Sequence, residues 1–550
     1  MESQKPKESW NSRFGVILAV TGSAVGLGNF LRFPGQAAKY GGGAFLIPYL
    51  IAFLVIGIPL SWSEWALGRY GGKMGHNSAP GIFRGVLRHR YGSYLGMLGT
   101  VMPLLIYTYY VFVEAWCLFY AYHFFLGTFQ GMDVAAIGGF FTESVGASAN
   151  GALFNASGGT MLLFLLICFI LNFGLIYRGL SQGIEKFCAF AMPLLVLCAL
   201  VILARVLTLP APEAHPDQSV LKGLGYLWNP IQPEIPPGAE EIAAAIAAGE
   251  EPDTRNSLMR HLSNPETWLA ATGQIFFSLS LGFGLILTYA SYLKKDDDVC
   301  LSSLTSAAGN GFCELVLGGM IAIPAAYVFL GPSVVQNPPG TFGMGFVVLP
   351  NVFAQMPAGQ SFGLLFFSLL FLAAVTSSLS MLQPSIALLE EGLGLTRKPS
   401  VAILGFITLT GALFVVWFSK DFTALDTIDF WMANFFIFIF ATVQTILFGW
   451  VLGAEKGYAE LAQGAEIRVP RWIMPVIRYV SPVYLLVIFA LWLRFSLPER
   501  LVAIRNVPKG EPPVVLMSIG LILAVLCFFA FVIARANRRW ADETFVEEVL

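Results

Sequence analysis

Apolar residues fall in long blocks along the chain, separated by short polar stretches. A helix needs roughly 20 mostly apolar residues to cross a bilayer. Twelve blocks meet that demand: residues 12–37, 43–70, 95–126, 160–177, 186–209, 266–293, 303–331, 361–391, 400–419, 426–453, 473–496 and 513–536. The pattern predicts an all-α integral membrane protein, one transmembrane domain over 1–550 with twelve transmembrane helices. An even number of crossings puts both termini on one side.

Lysine and arginine in the short loops say which side. Arg13, Arg69, Lys73, Arg84, Arg88, Arg90, Arg178, Lys294, Lys295, Arg397, Lys398, Lys456, Arg468, Arg471, Arg535, Arg538 and Arg539 fall on one face, which the positive-inside rule makes cytoplasmic. The opposite loops 127–158 and 331–360 contain neither residue. The expectation is a multi-pass protein of the cell membrane with cytoplasmic termini. The longest connection, 210–265, reads as a solvated extracellular loop, with an alanine-rich piece, Ala239 to Ala248, able to form a short helix.

Two spans are interrupted. In the first, Gly22, Gly26, Gly28, Asn29 and Arg32 lie inside an apolar run. Glycine weakens a helix by about 1 kcal/mol relative to alanine, and a buried asparagine or arginine needs partners. The helix is therefore predicted to unwind from Gly22 to Gly28. A GxxxG packing face accounts for Gly22 and Gly26 but leaves Asn29 and Arg32 without a role. The sixth span repeats the oddity in QIFFSLSLGFG, Gln274 to Gly284. Interrupted helices five crossings apart imply two inverted halves, about 10–209 and 266–453, with helices 11 and 12 (about 473–536) outside the repeat. Such a pair points to a binding site at the bilayer midplane.

Composition narrows the function. The chain is 56% hydrophobic and 12% charged, with a net charge of −2 that offers nucleic acid no basic surface. Its mean hydropathy is +0.70. Seven cysteines without a CxxC pair and five scattered histidines give no metal-ligand spacing. GGKMG at Gly71 does not match a phosphate-binding loop, so an enzyme reading lacks nucleophile, metal and nucleotide site alike. The first apolar block runs straight into Asn29 and Arg32, unlike a cleavable signal, so Met1 is expected to begin the mature chain.

GSAVGLGNFLRFP, GGGAFLIPY, SEWALGRYGG, YYVFVEAW, GQIFFSLSLGFGLILTYASY and TSSLSMLQP, in that order, are similar to the neurotransmitter:sodium symporter family, above all its bacterial amino-acid transporters of the leucine-transporter type. The resemblance implies a leucine-transporter fold, a 5+5 inverted repeat with helices 1 and 6 broken. It implies a substrate carboxylate held by the free amides around Ala24 to Gly28 and by the Tyr110 hydroxyl, although Tyr110 alone reads equally as a core tyrosine. The ammonium would meet carbonyls of span six, including Phe277, and Ser280. The side chain would lie among Leu27, Ile106, Phe277, Ser280, Phe283, Ser377 and Met381, almost all apolar.

By the same resemblance a first sodium ion maps onto Ala24, Asn29, Ser278 and Asn310, sharing the substrate carboxylate, and a second onto Gly22, Val25, Ala373, Thr376 and Ser377. Thr376 and Ser377 in isolation read as hydroxyls bonded to their own helix. Monoamine members carry aspartate where this chain has Gly26, so an amino acid is the expected substrate. Chloride-dependent relatives carry serine where this chain has Glu314 and bind the anion beside positions matching Tyr49, Gln274 and Ser278. Glu314 would replace chloride, and its protonation on the return step would export a proton. Arg32 and Asp429 would form the outer gate under which Phe277 acts as a lid. Lys7 and Glu391 would form the inner gate, with Trp10 and Tyr292 against it. Glu64 and Glu114 receive no role beyond helix-to-helix hydrogen bonding.

The function expected is sodium-coupled symport of a neutral, aliphatic L-amino acid by alternating access, independent of chloride. The partners are the amino acid, sodium ions and the bilayer, with no nucleic acid, and the sequence is compatible with a homodimer. The competing reading is an amino-acid sensor that binds without transport; the chain has no attached signalling domain to support it.

Overall fold

The computed structural model describes residues 10–155, 158–231, 257–336, 340–505 and 512–542. Among the described residues ten helices are long and apolar enough to cross a membrane: Gly43–Lys73, Tyr91–Leu126, Gly159–Tyr177, Leu180–Leu207, Val299–Ser333, Gly359–Leu393, Arg397–Trp417, Lys420–Ala462, Ile473–Phe495 and Val514–Ala541. An eleventh span is the pair Arg13–Ala24 and Gly28–Lys39, bent by 45°. The twelfth is Pro265–Leu279 followed by Leu285–Ala290, pieces too short to cross separately. Numbered in chain order, these are spans one to twelve, with spans one and six broken.

Burial sorts the spans. The most apolar stretch of span three is 89% buried, against 28% for span four and 33% for span twelve. Helices that are apolar all round but buried on one side only face lipid with the other. Span three is therefore a central post, and spans four, eleven and twelve lie at the edge.

The break in span one is narrower than the sequence predicts. The helix, capped by the Ser12 side chain accepting from Gly15 N, continues through Gly22 to Ala24 before it opens at Val25 and resumes as a π-helical turn at Gly28–Arg32. Gly22 serves close approach instead: a Cβ there would stand 3.2 Å from Met192 Sδ and 3.3 Å from Thr376 Cβ. Span six opens through left-handed conformations at Ser280 (φ 55°), Gly282 (φ 73°) and Gly284 (φ 79°). Ser280 is unusual there for a non-glycine residue, and its Oγ donates to the Ser23 carbonyl at 2.9 Å. The freed Gly282 N–H donates to Glu64 Oε1 at 2.7 Å, so this carboxylate closes the broken end of span six.

The loops expected on the cytoplasmic side meet at one end of the bundle. Arg69 and Lys73, at the end of span two, pair with Glu460 at 2.7 and 2.8 Å. Arg13 pairs with Asp298 at 3.6 Å, and Arg84 donates to Asn537 Oδ1 at 2.9 Å. At the other end, part of 210–265 is folded and not merely solvated: helix Val220–Trp228 is seated on the turn between spans one and two, where the Tyr226 hydroxyl donates to the Ala38 carbonyl at 2.7 Å. The alanine-rich piece 239–248 lies outside the described residues.

Candidate functional site

The two breaks face each other beside spans three and eight and leave a cavity of about 40 Å³. Of the predicted substrate residues, Ala24, Gly28, Ile106, Tyr110, Phe277, Ser280, Phe283, Ser377 and Met381 line it, with Gly26 between the first two, joined by Ser23, Pro103 and Leu285, which the sequence reading did not include. Leu27 borders a separate, outer cavity, and Ser278 borders neither. No charged side chain lines the inner cavity. Tyr110 Oη accepts from Leu27 N at 3.4 Å. A Cβ on Gly26 would stand 2.7 Å from Ser377 Oγ and 3.1 Å from Tyr110 Oη, which leaves no space there for an acidic side chain.

The serine hydroxyls around this cavity spend their protons on protein acceptors. Ser280 and Ser377 donate to the Ser23 carbonyl at 2.9 and 3.3 Å. Ser23 Oγ donates to Ser380 Oγ at 2.8 Å, and Ser380 donates to the Ser377 carbonyl at 2.7 Å. What Ser280 and Ser377 present to the cavity is lone pairs, suited to a ligand donor such as an ammonium group.

The residues predicted for the first ion converge. Asn29 Oδ1 accepts from Gly26 N at 2.9 Å, and its Nδ2 lies 2.8 Å from the Asn310 amide. That end of Asn310 is also 3.0 Å from the Ser278 carbonyl and 3.2 Å from the Ala24 carbonyl, while its other end is 2.5 Å from Ser278 Oγ. Ser278 Oγ donates in turn to Glu314 Oε2 at 2.6 Å. The fully buried Glu314 also receives hydrogen bonds from the Tyr49 hydroxyl and the Gln274 amide. The carboxylate thus sits among the three residues, Tyr49, Gln274 and Ser278, that the sequence reading set beside it. For the second ion, Gly22 lies against Thr376, and the Thr376 hydroxyl donates to the Ala373 carbonyl at 2.9 Å. Val25 N donates to the Thr21 carbonyl at 2.6 Å.

The gates differ from expectation. Arg32 and Asp429 both border an outer cavity of about 280 Å³, with Thr341 and Phe342 of a folded outer loop, but no ion pair joins them. Each has another partner. The Arg32 guanidinium lies 4.5 Å from the centre of the Phe277 ring, and Asp429 accepts from the Tyr109 hydroxyl at 2.6 Å and from Asn434 Nδ2 at 3.1 Å. Phe277 lines both cavities and so stands between them.

At the inner end, Lys7 lies outside the described residues. Glu391 is held by His76 Nδ1 at 2.6 Å and by the Asn77 and Ser78 amides, each at 2.9 Å. These amides open helix Ala79–Leu87, an N-terminus that favours a carboxylate. Trp10 packs edge-on against Tyr289, ring centres 5.2 Å apart, and its Nε1 donates to that residue's carbonyl at 3.0 Å; Tyr292 instead accepts from Gln383 at 3.4 Å. The residue that sequence reasoning missed is Glu185, which accepts from Asn11 N at 2.9 Å, Ser12 N at 3.2 Å and Ser12 Oγ at 3.1 Å. Glu114 ties span three to spans eight and four through Ser378 Oγ at 2.5 Å and Asn172 Nδ2 at 3.0 Å.

Comparison with known proteins places the fold. An uncharacterised sodium-dependent transporter of Methanocaldococcus jannaschii is 29% identical over 88% of this chain and 90% of its own length. The mouse sodium-dependent neutral amino acid transporter B(0)AT3 is 25% identical over 89% of this chain and 84% of its own. The crystal structure of MhsT in complex with L-phenylalanine superposes with a TM-score of 0.71 at 27% identity, covering 88% of this chain and 99% of that one. The sequence profile of the Sodium:neurotransmitter symporter family matches residues 7–133 and 255–537. The chain is a multi-pass membrane protein with the leucine-transporter fold and belongs to the sodium:neurotransmitter symporter family.

Proposed function

We propose that the chain couples inward sodium movement to uptake of a neutral, aliphatic L-amino acid across the cell membrane, without chloride and with both termini cytoplasmic. One observation carries the reading. A continuous polar chain runs from the Gly26 amide at the cavity through Asn29, Asn310 and Ser278 to Glu314. In this reading Ala24, Asn29, Ser278 and Asn310 share the first sodium ion with the substrate carboxylate, so that ion and substrate binding reinforce each other. Gly22, Val25, Ala373, Thr376 and Ser377 hold the second ion and pin span one to span eight. Glu314 supplies the negative charge for which relatives need chloride.

Substrate class rests on the cavity. It offers lone pairs for an ammonium group and apolar walls in Ile106, Phe283 and Met381, while position 26 brings no carboxylate of its own. Phe277 with Arg32 above it would close the site toward the outside, and the contacts of Glu391, Trp10 and Glu185 would close it toward the cytoplasm.

The test is uptake of labelled neutral amino acids into proteoliposomes, under an inward sodium gradient or a potassium control, each with and without chloride. The expected result is sodium-driven accumulation of an aliphatic amino acid, equal in both anions. Binding without accumulation would turn the reading to a sensor, and a requirement for chloride would remove the role given to Glu314.

A further inference from the structure

At the end of the bundle that holds Arg69 and Glu460, spans ten and eleven present aromatic rings outward. Trp450 and Tyr479 are each 51% exposed. Ile446 and Val451 of span ten and Val480 and Val483 of span eleven, all exposed, extend this surface as an aliphatic face. Exposed aromatics next to such a face mark the boundary between acyl chains and headgroups.

Arg478 lies in the middle of this patch. Its guanidinium stands 4.6 Å from the centre of the Trp450 ring and 5.4 Å from that of Tyr479, and the two rings meet edge-on at 5.4 Å. The arginine is fixed from behind as well, because Trp450 Nε1 donates to its carbonyl at 2.9 Å. Gly449 lets the two helices close up; a Cβ there would stand 3.1 Å from Arg478 Cα. Elsewhere at this end Arg69 has Glu460 and Arg13 has Asp298 as counter-charges. Arg478 has none among the described residues, and its Nε is buried without a hydrogen-bond partner. A desolvated cation without an anion is costly, and a guanidinium fork matches phosphate oxygens.

We propose that Arg478, framed by Trp450 and Tyr479, is a binding site for the phosphate headgroup of an anionic phospholipid, whose acyl chains lie along the aliphatic face of spans ten and eleven. A second copy of the chain suits the patch less well. Residues 443–451 and 472–483 contain no acidic residue, so a self-contact through this patch would bring arginine to arginine. The proposal rests on the membrane-spanning fold and not on the transport reading.

The test is native mass spectrometry of the full chain released from nanodiscs of equal parts phosphatidylglycerol and phosphatidylcholine, without amino acid, so that failure of the transport reading would leave it untouched. Wild type is expected to retain phosphatidylglycerol in preference, and Arg478→Gln to lose roughly fivefold of that preference, the worth of one interfacial basic residue. Arg478→Lys should fall between them. Tyr479→Leu, at an exposed position, should weaken retention with the fold intact, and Arg494→Gln at the opposite end of span eleven should change nothing. Equal retention in wild type and Arg478→Gln would overturn the site. Displacement of the lipid by inorganic phosphate alone would replace it with a free-anion site, and a wild-type dimer dissociated by Arg478→Gln would replace the lipid with a second copy.

Discussion

In the proposed reading an ion requirement turns on one buried residue, Glu314. Its carboxylate takes hydrogen bonds from Tyr49, Gln274 and Ser278, and Ser278 also touches Asn310. Three donors converging on one negative charge are a cradle that stays useful only while an anion fills it. Hydrogen bonds to a charged group are each worth about 1.5–3 kcal/mol, roughly 10- to 100-fold in affinity. Glu314→Ser should therefore lower sodium-dependent uptake by about tenfold or more in chloride-free buffer, and added chloride should restore it. Chloride titration of uptake by this variant is the measurement; a flat response would separate Glu314 from the anion position. Gly26 makes a complementary point, since its missing side chain keeps Ser377 and Tyr110 in place beside the break.

Among elements, the first half of span one is held at its start by a single carboxylate. Glu185 in the π-helical turn Leu180–Glu185 accepts three hydrogen bonds from the start of that helix, and Gly15 makes room for it, since a Cβ there would fall 2.0 Å from Glu185 Oε1. Glu185→Gln would set an amide N–H₂ among backbone donors and loosen the helix. Amide hydrogen exchange across residues 12–24 should then quicken by about tenfold, one lost charged hydrogen bond, with residues 265–279 unchanged. Equal exchange in variant and wild type would show that Glu185 holds nothing.

The same elements show what sequence could and could not reveal. Both broken helices were legible because glycine, serine and asparagine stand out in an apolar run. The width of the first break was not, because whether Gly22 opens the helix or packs it depends on Met192 and Thr376, which are far away in sequence. Most of the cavity was legible through ordered motifs, whereas Pro103 and Leu285 look like any other apolar residue. Glu185, and His76 as partner of Glu391, were invisible because they come from connecting turns whose path no periodicity predicts. For the outer gate, opposite charges at suitable positions do not reveal which other partners Arg32 and Asp429 hold in this arrangement, namely the Phe277 ring and the Tyr109 hydroxyl.

For the whole molecule, the question is what holds the inner end together while the outer cavity stays open. Arg69, almost wholly buried, bonds Glu460 through Nε, the Glu460 carbonyl through Nη2, and the carbonyls of Asp297 and Gln463 through Nη1. One side chain thus joins span two, the loop between spans six and seven, and helix Ala454–Ala462 at the end of span ten. The second inverted half begins at span six, so this knot fastens one half to the other at the inner end. At the outer end Arg32 and Asp429 remain unpaired with each other across the 280 Å³ cavity, and Tyr109 bonds Asp429 across the halves. Loosening the knot is therefore expected to free the inner end while the outer contacts stay. Removing one partner of a buried, hydrogen-bonded pair costs about 3–5 kcal/mol, so Arg69→Gln should lower the apparent unfolding temperature of the purified protein and admit water-soluble thiol reagents from the inner side to the otherwise buried Cys300, whose Sγ lies 3.4 Å from the Leu461 carbonyl. Lys73→Gln, which removes only the more exposed partner of Glu460, should do less on both counts. Thermal unfolding and Cys300 labelling, measured together, separate the two roles of the knot. A fall in stability without labelling would make Arg69 a structural pin; labelling that rises with it would make the inner end the door whose opening the Arg69 knot restrains.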